Sequence, residues 1–227
     1  MEKSGVFLSQ LAWASEESSY LKSAIYRCDG KMIDTKAEIE GYVGRFPDEA
    51  ANLLPLTKQL AQEPARILSR HNMRGHITSS VLVLSTDLES VLLIAHINEG
   101  QWLQPGGHYE GTGSLEDSAL REVKEETGLS TVCLVPVWDN CEDKLFDVDT
   151  HVVAERPSRG ESKHLHHDFM YLGVDDEFSE LKPNLSEVKN AMWFPIAKIN
   201  QLPNPRFVRI HNKLASLNLL ERIREQS

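Results

Sequence analysis

The spacing of apolar residues changes partway along the chain, and the change divides it in two. Up to about residue 75 the capping and turn signals predict mainly helix. Leu53, Leu56 and Leu60 recur at helical spacing within 48–62, a packing face with Pro55 as an expected kink. Asp29-Gly30, between 24–28 and 31–34, offers a small hairpin instead, because Asp-Gly favours a primed turn. From Ile77 onward branched apolar runs predict strands at 77–84, 91–97 and 102–104, the last stopped by Pro105-Gly106-Gly107. A helix is expected from Ser114 to Thr127, ended by Gly128, with further strands at 131–137, 145–153 and 165–174. Asn204-Pro205 opens a last helix reaching about Arg224. Strands interleaved with few helices imply a mixed sheet sandwiched between helices, an α/β (α+β) fold. Residues 1–75 form the mainly helical extension and 76–227 the main domain.

Composition narrows the function classes. The 227-residue chain carries a formal charge of −10. Such an acidic surface repels a nucleic-acid polymer but not a small phosphorylated ligand whose charge is met by cations. No apolar stretch is long enough to span a bilayer, and the opening residues lack the regions of a secretory signal. Three cysteines, Cys28, Cys133 and Cys141, without finger spacing argue against a disulfide framework and predict a cytoplasmic protein.

Candidate chemistry concentrates at 107–129, GHYEGTGSLEDSALREVKEETGL. Ser114 can cap this helix, with Asp117 three residues on completing a box-like start. Glu122, Glu125 and Glu126 fall at i, i+3 and i+4 and so share one face. Like charges so placed repel, and a hard divalent cation such as Mg²⁺ or Mn²⁺ relieves them. The spacing alone also suits a solvated acidic face; the frame around it decides. The segment resembles the Nudix box, G-x5-E-x7-R-E-U-x-E-E-x-G-U with U aliphatic. Gly107, Arg121, Glu122, Val123, Glu125, Glu126, Gly128 and Leu129 match eight of its nine defined positions. Gly113 stands where the first glutamate belongs, which removes a usual support for Arg121; Glu110 and Glu116 are the candidates to replace it. The run Trp102 to His108 and the late Glu187 before Trp193-Phe194 resemble the same family, over about 77–202.

The resemblance implies a Nudix fold and hydrolysis at phosphorus of a nucleoside diphosphate linked to another group. Glu122, Glu125 and Glu126, with the Gly107 carbonyl, would hold Mg²⁺ or Mn²⁺. A box glutamate would be the base, with Glu187 as runner-up and Arg121 as support. A ligand-sensing domain without turnover is the second class, and an isopentenyl diphosphate isomerase the third, which would require a catalytic cysteine. The expected partner is a nucleotide derivative; a homodimer is left open.

A second constellation lies outside the box. Alternation puts Asp147, Asp149 and His151 on one strand face and His164, His166 and Asp168 on the next, with His108 beside the box. Pairing the strands symmetrically about 155–162 sets His151 opposite His166 and Asp149 opposite Asp168. Opposed aspartates repel. His108, His151, His164, His166, Asp149 and Asp168 are therefore expected to form a second metal or phosphate site, softer than the glutamates and suited to Zn²⁺ or Mn²⁺. For any single histidine, a solvent-facing position is the plain alternative.

Overall fold

The computed structural model describes residues 27–28, 31–32, 35–97, 99–111, 113–138, 144–176 and 179–226. Arg27–Cys28 (β1) and Lys31–Met32 (β2) pair antiparallel, as the Asp-Gly signal suggests. Helix α1 (Thr35–Arg45) follows, then a short turn at Pro47–Glu49, then α2 (Leu54–Gln62). Pro55 lies in the first turn of α2 and produces no kink: the first turn has no internal partner for a proline N–H, so the ring costs nothing there.

The main sheet has eight strands. Its central strand, β3 (Gly75–Ser85), is buried along its whole length. It runs antiparallel to β4 (Ser90–His96) and to β6 (Gly106–His108), and parallel to β9 (His164–Asp175) over its full span. β5 (Trp102–Leu103) and β10 (Val188–Pro195) pair with β4, while β7 (Cys133–Leu134) and β8 (Leu145–Val153) pair with β9. The strand at 102–104 does stop, at Leu103, and Gly106-Gly107 then opens β6 in the same sheet. Only Cys133–Leu134 of the expected 131–137 strand is strand.

Alternation on β3 builds two cores. Ile77, Val81 and Val83 join Leu115, Ala119 and Val123 of helix α3 (Leu115–Thr127), together with Tyr42, Leu53 and Leu56 of the extension. Leu82 and Leu84 join Phe207, Ile210 and Leu214 of α4 (Pro205–Ser216) and Leu219 and Ile223 of α5 (Leu219–Gln226). The sheet is thus sandwiched between helices, as its pattern implies. The last helix is not continuous: Asn218 takes φ 47° between α4 and α5, a conformation that interrupts a helix.

Candidate active site and histidine cluster

Helix α3 starts where its sequence says. The Ser114 side chain accepts from Asp117 N, and the Asp117 carboxylate accepts from Ser114 N. Gly128 closes the helix in the left-handed region, at φ 82°. One face of α3 packs Ala119 and Val123 into the core, and the adjacent face sets Glu122, Glu125 and Glu126 along a cleft of about 930 Å³. β6 approaches so closely that a Cβ on Gly107 would lie 2.5 Å from the Glu122 carboxyl carbon. Gly106 N–H donates to Glu126 at 2.9 Å. Gly107 thus admits the Glu122 carboxylate against the strand, while Gly106 lets β6 lie close on Ser79 and Ser80.

Glu126 is 2% exposed, and burial pushes its carboxyl up to about 8, with Glu122 adding to the effect. Burial likewise pushes Glu122 up to about 7, against the pull of Arg121. Carboxyls raised by burial and gathered on one face, the deepest of them met by a backbone N–H, are a donor set that a hard divalent cation would satisfy, so the residues fit such an ion. Arg121 donates to Glu125 at 2.8 Å, to Glu122 at 2.9 Å and to the His108 carbonyl at 2.9 Å. Glu110 approaches Arg121 at 3.7 Å, whereas Glu116 pairs with Lys144. Gly113 has φ 73°, and a Cβ there would crowd Asp117 at 2.9 Å, so a side chain at this position would be strained. Glu187, at the turn into β10, lines the same cleft.

The second constellation divides. β8 and β9 pair in the expected register, with Asp149 opposite Asp168 and His151 opposite His166. Both aspartates are compensated by arginine, and of the two only Asp149 also meets a histidine of the set, His151. Asp168 accepts from Thr78 at 2.9 Å, Ser80 at 2.6 Å and Arg206 at 2.6 Å. Asp149 accepts from Arg209 at 3.0 Å and contacts His151 Nδ1 at 2.9 Å. Asp147 is fully buried and meets Arg206, Arg209 and Lys213 at 2.8–3.0 Å. Burial opposes its charge, but these three cations outweigh burial and hold the carboxyl far below the usual range. Asp168 and Asp147 are thus parts of an ion-pair network.

The histidines do converge, and around a residue the sequence reading passed over. The parallel register puts His76 beside His166. Ring centroids lie 4.7 Å apart for His76–His166, 4.9 Å for His76–His164, 5.1 Å for His164–His166 and 5.0 Å for His76–His108. His151 stands farther out, 5.6 Å from His166. Burial pushes His76 down to about 4 and His108 to about 3, and drives His166 down as well, so these rings are neutral near pH 7. His108, His151 and His166 line the same cleft as the glutamates. No aromatic Phe, Tyr or Trp is among the described lining residues, and Tyr109 and Phe169 are buried in the core.

The profile of the NUDIX domain matches residues 75–215. An uncharacterised Nudix hydrolase, YvcI of Bacillus subtilis (strain 168), is 29% identical over 121 residues, covering 53% of this chain and 67% of its own. A probable DHNTP pyrophosphohydrolase of Lactococcus lactis subsp. cremoris (strain MG1363) is 32% identical over 133 residues, covering 54% of this chain and 74% of its own. A solved NUDIX-family hydrolase from Clostridium perfringens superposes with a TM-score of 0.48 at 26% identity, covering 64% of this chain and 97% of that one. With the family profile spanning the sheet, the glutamate helix and most of α4, this chain belongs to the NUDIX domain family and is a Nudix hydrolase.

Proposed function

We propose that the protein is a metal-dependent pyrophosphohydrolase that cleaves a phosphoanhydride in a small nucleoside-diphosphate-linked substrate. One observation carries the reading: Glu122, Glu125 and Glu126 face one cleft, Glu126 buried and Glu122 half-buried against the Gly106-Gly107 strand, both carboxyls raised by burial. In this reading Glu122, Glu125 and Glu126, with the Gly107 carbonyl, hold Mg²⁺ or Mn²⁺. Bound there, the ion supplies charge neutralisation at phosphate oxygens and acidifies a water. Glu125 or Glu126 would take the proton of the attacking water, with Glu187, which lines the same cleft, as the alternative base. Arg121 holds the carboxylates of Glu122 and Glu125 in position. Arg70, Arg156 and Arg159, also on the cleft wall, suit an anionic substrate.

Among the described residues, Cys133 is exposed and does not line the cleft, so it does not serve as an isomerase cysteine there. A sensing role keeps one specific support: Arg121 occupies two of the three box carboxylates, and Gly113 replaces the first acid. Product masses from nucleotides, nucleotide sugars and dinucleotides incubated with Mg²⁺ or Mn²⁺ separate these readings. Hydrolysis products that require the metal support the proposal. Tight binding with no conversion across the set would replace it with sensing.

A further inference from the structure

We infer that His76, His164 and His166 form a site for a divalent transition metal of the zinc class, separate from the glutamate face. One ring nitrogen from each lies within 4.8 Å of the other two. His76 and His164 are 1% and 5% exposed, and His166 is half-buried where the cluster meets the cleft.

The hydrogen bonds fix which nitrogens are free. His76 Nδ1 lies 3.2 Å from the Asn72 carbonyl, and His164 Nδ1 lies 2.6 Å from the Ser162 carbonyl. A carbonyl oxygen only accepts, so each Nδ1 carries the hydrogen, and Nε2 is the nitrogen left to face a metal. Backbone carbonyls that hold the outer nitrogen in this way are what orients imidazole toward a metal. His76 Nε2 is buried without a hydrogen-bond partner, a cost the fold carries unless something occupies the space in front of it. His164 Nε2 and His166 Nε2 stand 3.2 Å apart. Two imidazole nitrogens on one tetrahedral ion, each at about 2.0–2.1 Å, stand about 3.3–3.4 Å apart.

The ligand chemistry follows from the donor set. Neutral nitrogen donors suit Zn²⁺, Co²⁺ or Ni²⁺ and are poor for Mg²⁺. An anion has little to gain here: rings packed about 5 Å apart out of solvent cannot all be protonated, so they offer phosphate no cluster of positive charge. The neighbouring carboxylates, Asp149 and Asp168, are held by Arg209 and Arg206 and do not join the set. Three histidines beside a cleft leave one coordination position open, the arrangement of reactive zinc sites, not closed structural ones.

The test uses the full chain, stripped with a chelator and reloaded with Co²⁺ in excess Mg²⁺, which saturates oxygen ligands and leaves imidazole free. Expected are about one equivalent of bound Co²⁺ by elemental analysis and the visible absorption of a four-coordinate nitrogen-ligated ion. Zn²⁺ should displace it. His166→Ala and His164→Gln should each weaken Co²⁺ binding at least tenfold, with circular dichroism and melting confirming that the variants are folded. Glu126→Gln should leave stoichiometry and spectrum unchanged, which keeps this site distinguishable from the glutamate face. No uptake by the folded wild-type chain would overturn the inference, as would uptake that survives both histidine changes. So would histidine-dependent binding of inorganic phosphate without metal.

Discussion

Glu126 is the deepest charge on the box helix, and a single backbone N–H, from Gly106, holds it. Glu126→Gln keeps the volume and the hydrogen bond while deleting the charge. It should lower metal-dependent turnover at least hundredfold with melting within a few degrees of wild type; unchanged turnover would remove Glu126 from the site. The same burial sets a pH signature. A carboxyl raised from 4.5 to about 8 holds its proton more tightly folded than unfolded, so its contribution to stability is greatest in acid and declines as pH rises toward 8. The buried imidazoles, held neutral in the fold but partly protonated when unfolded near pH 6.5, tilt the profile the other way, so the carboxyl is read as a difference between two chains that share them. Relative to Glu126→Gln, the metal-free wild-type chain should lose roughly 1–2 kcal/mol between pH 6.5 and 8. Added Mn²⁺ should flatten the difference, because a cation favours the ionised carboxylates. A difference that stays flat with pH in calorimetry would contradict the assignment. These glutamates were legible because helical spacing within one segment fixes a shared face. His76 was not: it lies far from His164 and His166 in sequence, and only the parallel pairing of β3 with β9 brings it to them.

Between elements, the decisive contact is α4 against β8. Arg206, Arg209 and Lys213 recur along α4 and converge on Asp147, while Arg206 also reaches Asp168. A buried carboxylate among three cations cannot be removed cheaply, because its loss leaves them unpaired in a low dielectric. Asp147→Asn should cost about 3–5 kcal/mol, a melting decrease of about 10 °C for a domain of this size. A change under about 2 °C would show that the network is compensated elsewhere. The network also explains why the expected aspartate–histidine site divides. Alternation and hairpin symmetry read from the sequence put Asp149 opposite Asp168, and the structure keeps that register. Local pattern does not reveal what neutralises them, because the arginines arrive from a helix beginning thirty-odd residues beyond β9. The basic spacing of α4 was visible as a pattern, but its partner strand was not. The break at Asn218 was hidden for a related reason: nothing in apolar periodicity marks one residue that turns left-handed.

Across the molecule, the extension shares a core with the sheet. Ile39, Tyr42, Leu53, Leu56 and Ile67 are buried in the cluster that also holds Val81, Val123, Leu145 and Phe169. Polar contacts fasten it as well. Gln59 donates to the Gly75 carbonyl at 2.7 Å and meets His167 at 3.1 Å. Lys213 of α4 donates to Tyr42 at 2.6 Å and pairs with Glu49 at 2.9 Å. The helical leucine stripe announced a packing face, and the family profile begins only at residue 75, so sequence marked a boundary where the structure has continuous packing. Deleting residues 1–73 would uncover the apolar surface of α3 and β9, take Gln59 from His167 and leave Lys213 with Asp147 but without Tyr42 and Glu49. Each large apolar side chain returned to water costs about 1.5–3 kcal/mol, and a domain of ordinary stability holds only about 5–15 kcal/mol in reserve. The truncated chain should therefore lose its cooperative melting transition or aggregate on expression. Leu56→Ala in the full chain is the milder form of the same test and should cost about 2–5 kcal/mol. If the truncated protein melts cooperatively at the wild-type temperature, the extension is an appendage and not part of the core. If it melts normally but binds substrate tenfold more weakly, its place is at the cleft.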